Sequence, residues 1–95
     1  MNSTQQATPL TVFLVEDSLA IRARLAETIR GIKGAALVGE AGAVDAAIAG
    51  IRSAHPGAVI LDLQLEDGSG LEVLKAVHPT SPALHVAVLT NYVTD

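Results

Sequence analysis

The sequence predicts an α/β fold: a doubly wound parallel sheet with helices on both faces. Three observations predict it. Short apolar, β-branched runs alternate with segments whose apolar residues recur every third or fourth position. Glycine and proline punctuate the junctions between them. The runs read as strands are apolar throughout, as strands buried on both faces of a parallel sheet must be.

Residues 1–10 are polar, carry Pro9 and are expected to form a loose tail before a single domain over 11–95. The run TVFLV (11–15) is the first strand and stops at Glu16 and Asp17. Ser18 is placed to cap a helix ending near Arg30, with Ile21, Leu25, Ile29 and Ile32 on its apolar face. Arg22, Arg24, Glu27 and Arg30 are expected on its solvated side, and Gly31 and Gly34 end it.

ALVG (36–39) is a weaker second strand. In the next helix Asp45 suits the positive end of the helix dipole, and Val44, Ala47, Ile48 and Ile51 make the inner face. Pro56 and Gly57 stop it. Residues 58–62 (AVILD) are the third strand. Ser69 and Glu72 fit a capping box for a third helix through Leu71, Leu74 and Val77. Pro79 and Pro82 break the chain before a fourth strand, LHVAVLT (84–90).

Bulk properties narrow the function. The 95 residues suit one small domain, and 49% of them are apolar, a globular composition. A net charge of −4 argues against a nucleic-acid surface within these residues. There is no cysteine, hence neither disulfide nor thiolate metal site. The start has no apolar signal region, and no run approaches the roughly 18 apolar residues of a membrane span. A soluble cytoplasmic domain without a membrane partner is the expectation.

The candidate site lies where the strands end. In an open parallel α/β sheet, ligands bind beyond the carboxyl ends of the strands, at the switch point in strand order. Glu16-Asp17, Asp62 and Thr90 each close a strand, so the sheet is expected to bring them to one edge. Carboxylates crowded together repel, and one takes up a proton unless a cation sits among them. An all-oxygen set favours a hard ion such as Mg²⁺, and Mg²⁺ sites commonly pair carboxylates with phosphate oxygens. A carboxylate can attack phosphorus to give an acyl phosphate, and the Thr90 hydroxyl can donate to a phosphoryl oxygen. Taken singly, Asp17 and Ser18 read as helix caps, Ser69 as a cap, and Glu66 and Asp67 as solvated loop acids. His55, His78 and His85 lack metal-ligand spacing and read as non-catalytic.

Three stretches carry a resemblance to a known family. VFLVEDS (12–18), VILDLQLEDGSGLEVL (59–74) and VAVLTN (86–91) together resemble a bacterial response-regulator receiver domain, with its flavodoxin-like fold, over nearly the whole chain. The resemblance implies a two-component signalling domain that accepts a phosphoryl group from a histidine kinase or phosphotransfer protein. It makes Asp62 the phosphoacceptor. Asp17 becomes a direct Mg²⁺ ligand, the Gln64 backbone carbonyl another, and Glu16 a ligand through water. Thr90 binds the phosphoryl group and acts as the switch. The domain would not be an enzyme, at most catalysing its own phosphorylation and dephosphorylation.

The sequence departs from that pattern at Glu66, where proline is common, and at Asn91, where a small residue is usual. The family continues with a fourth helix, a fifth strand bearing an essential lysine, and a fifth helix. Neither Lys33 nor Lys75 stands at that lysine's place. The expectation is therefore a receiver fold lacking the fifth strand and last helices, with an apolar fourth strand left as an edge through which the chain forms a homo-oligomer. Two further readings stay open. One is an interaction module that works without phosphorylation. The other is a phosphatase or phosphotransferase of the haloacid-dehalogenase type, against which Gln64 speaks, because that chemistry needs a second acid two residues after the nucleophile.

Overall fold

A computed structural model describes residues 8–89. In chain order it contains β1 (Leu10–Val15), α1 (Leu19–Arg30), β2 (Ala35–Ala41), α2 (Val44–Ala54) and β3 (Ala58–Asp62). A small hairpin of β4 (Gln64–Leu65) and β5 (Gly68–Ser69) follows, then α3 (Gly70–Val77), a 3₁₀ turn (His78–Thr80) and β6 (His85–Leu89). Four strands form one parallel sheet in the order β2-β1-β3-β6. The order reverses at β1, which puts the switch point between β1 and β3.

Alternation along the strands divides the core in two. Phe13, Val15, Val59 and Leu61 face α2 and α3, and pack with Val44, Ala47, Ile51, Val73 and Val77. Val12 and Leu14 face α1, and pack with Ala26 and Ile29. The class read from the sequence is thus the class observed, and both central strands are buried on both faces, as their unbroken apolar runs require.

Several boundaries and faces differ from the sequence reading. Leu10 belongs to β1 and not to the tail, because its amide donates to the Gly34 carbonyl at 2.7 Å and it pairs with Ala35. The second strand runs over Ala35–Ala41, three residues longer than ALVG. A bulge accounts for its weak sequence pattern. Val12 pairs with Leu37 but Phe13 pairs with Gly39, so Val38 is an extra residue. The insertion flips the side-chain phase: Ala35 and Leu37 lie on the α1 face, while Ala41 lies on the α2 face.

Ile21 in α1 and Ile32 just beyond its end are exposed, and Leu25, Ala26 and Ile29 make the contact with the sheet. In α3, Leu71 is exposed while Val73 and Val77 are buried. The helix α2 ends on His55, whose φ of 48° is left-handed and whose amide donates to the Ile51 carbonyl. Pro56 and Gly57 only follow that stop. The last strand begins at His85, one residue after Leu84, and Thr90 lies outside the described residues. Among the described strands β6 stands at the edge of the sheet, with Val86 and Val88 exposed.

Candidate functional site

Each acid is delivered by a strand end. Val15 pairs with Leu61 in the parallel β1/β3 register, so Glu16 leaves one strand beside Asp62, the last residue of the other. Carboxylate oxygens of Glu16, Asp17 and Asp62 lie within 4.8 Å of one another. Glu16 and Asp62 are each only 3% exposed, and Asp17 is half-buried. The predicted grouping of these three acids is therefore present.

Backbone amides hold the acids in place. The Ser18 amide donates to Glu16 Oε2 at 2.9 Å, and the Ser18 hydroxyl accepts from the Ile21 amide at 3.2 Å, which caps α1. The Gln64 amide donates to Asp62 Oδ1 at 3.0 Å and orients that carboxylate. Gln64 also opens the hairpin by pairing with Ser69. Behind it, the Gly70 amide donates to the Leu63 carbonyl, and the absent Cβ of Gly70 would collide with the carbonyl of Asp62. Glycine there lets α3 start directly against the end of β3.

Charge is concentrated in this cluster. The Glu16 carboxyl is pushed above its ordinary range, first by burial, although the Ser18 amide opposes the shift. Its hydrogen bond with Asp17 and the charges of Asp62 and Asp17 push further in the same direction. The salt bridges among the described residues run from Arg22 and Arg30 to Glu40, away from the cluster. Three crowded oxygen donors, two of them buried, suit a small hard cation such as Mg²⁺.

Two neighbours play parts different from those read in the sequence. Arg22 is not on a solvated face. Its Nη1 donates to the Glu16 carbonyl at 3.0 Å and its Nε lies 3.3 Å from Glu40, so it braces the loop that carries Glu16 and Asp17. Asp67 is not a free loop acid, because both its oxygens accept from the Val44 amide, at 3.1 and 3.2 Å. It thereby caps α2, whose own N-cap residue, Ala43, has no side chain for the purpose. A cap supplied from 23 residues away has no local sequence signal. Ser69 and Glu72 form the expected capping box. Thr90 and Asn91 lie outside the described residues; Leu89, which precedes them, is the register partner of Asp62.

A parallel sheet in the order β2-β1-β3-β6 with an acidic cluster beyond β1 and β3 defines the class of flavodoxin-like domains whose site lies at the switch point. The chain belongs to one family of that class: the response regulator receiver domain family matches residues 12–95. The chain is 36% identical over 84 residues to the DNA-binding transcriptional activator DevR/DosR of Mycobacterium tuberculosis, covering 88% of the chain and 39% of that protein. It is also 36% identical over 84 residues to the photosynthetic apparatus regulatory protein RegA of Rhodobacter capsulatus, with 86% and 44% covered. It thus spans less than half the length of these relatives.

Among solved structures, a LuxR-family two-component response regulator from Aurantimonas sp. superposes with a TM-score of 0.82 at 25% identity, covering 90% of the chain and 61% of that one. The response regulator domain of Thermotoga maritima CheB gives 0.79 at 22% identity, with 86% and 60% covered. The chain is a receiver domain of the two-component response-regulator type.

Proposed function

We propose that Asp62 accepts a phosphoryl group from a histidine kinase or phosphotransfer protein, and that this is the signal the domain carries. The observation behind it is the trio of Glu16, Asp17 and Asp62 within 4.8 Å, with the Asp62 carboxylate oriented through Oδ1 by the Gln64 amide. In the transfer, Asp62 Oδ2 attacks phosphorus. An O–P bond forms, the P–N bond of the donor phosphohistidine breaks, and the imidazole leaves with the electron pair.

Asp17, Asp62 and the Gln64 backbone carbonyl would hold Mg²⁺, with Glu16 acting through a bound water, and the ion would neutralise charge on the carboxylates and the phosphoryl oxygens. Thr90 would bind the phosphoryl group and act as the switch; the pairing of Leu89 with Asp62 supports this placement. The added charge of about −1.5 to −2 then biases the surrounding loops. The domain turns over no external substrate and at most catalyses its own phosphorylation and dephosphorylation. Its setting is the cytoplasm, in keeping with the fact that no helix of the described residues is long and apolar enough to cross a membrane. The intact acidic trio speaks against a module that works without phosphorylation.

Incubation with acetyl phosphate and Mg²⁺, followed by mass spectrometry, tests the assignment. A phosphoryl adduct forms on the wild type and is absent from Asp62→Ala. An adduct of equal yield on Asp62→Ala overturns it.

A further inference from the structure

The β4–β5 hairpin is fastened at both ends. At its base, Gln64 donates its amide to Asp62 Oδ1 and pairs with Ser69. At its tip, Asp67 accepts the Val44 amide through both carboxylate oxygens. Between them, Leu65 is buried in the core shared with α2 and α3. Gly68 packs so closely that an added Cβ would lie 3.1 Å from Val44 Cγ2 and against the Glu72 carboxylate. The segment that carries the Gln64 carbonyl therefore rests on the first turn of α2.

We propose that Asp67 is a positioning residue for the metal and phosphoryl site: by tethering the hairpin tip to α2, it holds the Gln64 carbonyl where a divalent cation can use it. The inference rests on the reading of Asp17, Asp62 and Gln64 as the Mg²⁺ ligands. The tether is charge-assisted and spans two elements that share no other hydrogen bond among those of the described side chains. A backbone carbonyl cannot be re-aimed by a rotamer change, so its position depends wholly on how the hairpin is held. Groups that orient metal ligands in this way commonly govern affinity by about tenfold or more.

Capping and tethering can be separated. In Asp67→Ala both are lost. In the double variant Asp67→Ala with Ala43→Asp, the cap is restored locally, since Ala43 already has the extended backbone of an N-cap residue, with φ −141° and ψ 159°. Mg²⁺ affinity by calorimetry and thermal stability are measured on the full 95-residue chain. Asp67→Ala is expected to bind Mg²⁺ about tenfold more weakly and to melt earlier. The double variant recovers the melting temperature but stays weak for Mg²⁺, and Asp67→Asn, which keeps an acceptor oxygen, falls between wild type and Asp67→Ala. Wild-type affinity in Asp67→Ala overturns the inference, as does recovery of affinity together with stability in the double variant. A wild type that fails to bind Mg²⁺ overturns the ligand assignment itself, and this inference with it.

Discussion

The ring of Phe13 occupies the space where Gly50, in the middle of α2, would carry a Cβ: the added atom would lie 2.5 Å from the ring. Phe13 is 3% exposed and is the only phenylalanine in the chain, so it has no room to yield. An exposed helical glycine changed to alanine normally gains about 1 kcal/mol. Here overpacking opposes and exceeds that gain, and Gly50→Ala is expected to destabilise by about 1–3 kcal/mol. Chemical denaturation shows the sign, and a stabilised variant would refute the packing.

Removing one acid tests the metal reading. Asp17→Asn keeps the size of the side chain but removes a charged oxygen donor from the trio. The Mg²⁺ affinity should fall at least about tenfold. In the wild type, free Mg²⁺ at ten times its Kd should stabilise by about 1.4 kcal/mol, and the variant should lose most of this at the same concentration. Calorimetry and a thermal melt give the two readings independently.

The raised pKa of Glu16 has a definite sign in stability. The folded form holds its proton to a higher pH than the unfolded chain does. Glu16 therefore contributes stability that is fully present below the ordinary glutamate pKa and is lost as pH rises through the raised folded-state value. The metal-free melting temperature should fall across that window. Glu16→Gln should flatten the fall, and Mg²⁺ should offset it by stabilising the carboxylate form. A wild-type slope unchanged in Glu16→Gln would show that other groups set it.

The edge strand predicts association. Val86 and Val88 are 40% and 47% exposed, and β6 pairs only with β3 among the described strands. On the opposite, α1-facing side of the sheet, Leu10, Ile29, Ile32, Ala58 and Ile60 line an open groove of about 330 Å³. Bare apolar area costs about 25 cal/mol per Å², and an unpaired apolar edge invites a second strand. Light scattering should show the 95-residue chain associating at micromolar concentration. Val88→Lys should shift it toward monomer, whereas a wild type that stays a stable folded monomer would end this idea.

Much of this protein was legible along the chain, because the governing physics was local or periodic. Burial on both faces makes β1 and β3 continuous apolar runs, and Ser18 and Ser69 cap the helices that directly follow them. Asp17 and Asp62 end those runs in carboxylates, and a parallel sheet must carry such ends to one edge. Thr90 reads as a strand-end hydroxyl in the sequence alone, since it lies outside the described residues.

Tertiary structure decided what depends on partners far apart in sequence. The bulge at Val38 is set by registry with β1, since only the pairing of Gly39 with Phe13 lets Ala41 turn toward α2. Arg22 leaves the solvated side because the Glu16 carbonyl and Glu40 meet it there. Asp67 becomes the cap of α2 because folding brings an unsatisfied amide, which Ala43 cannot serve, to the tip of a hairpin formed 23 residues later. A buried polar group must find its hydrogen bond somewhere, and which group supplies it is settled by the packing of whole elements.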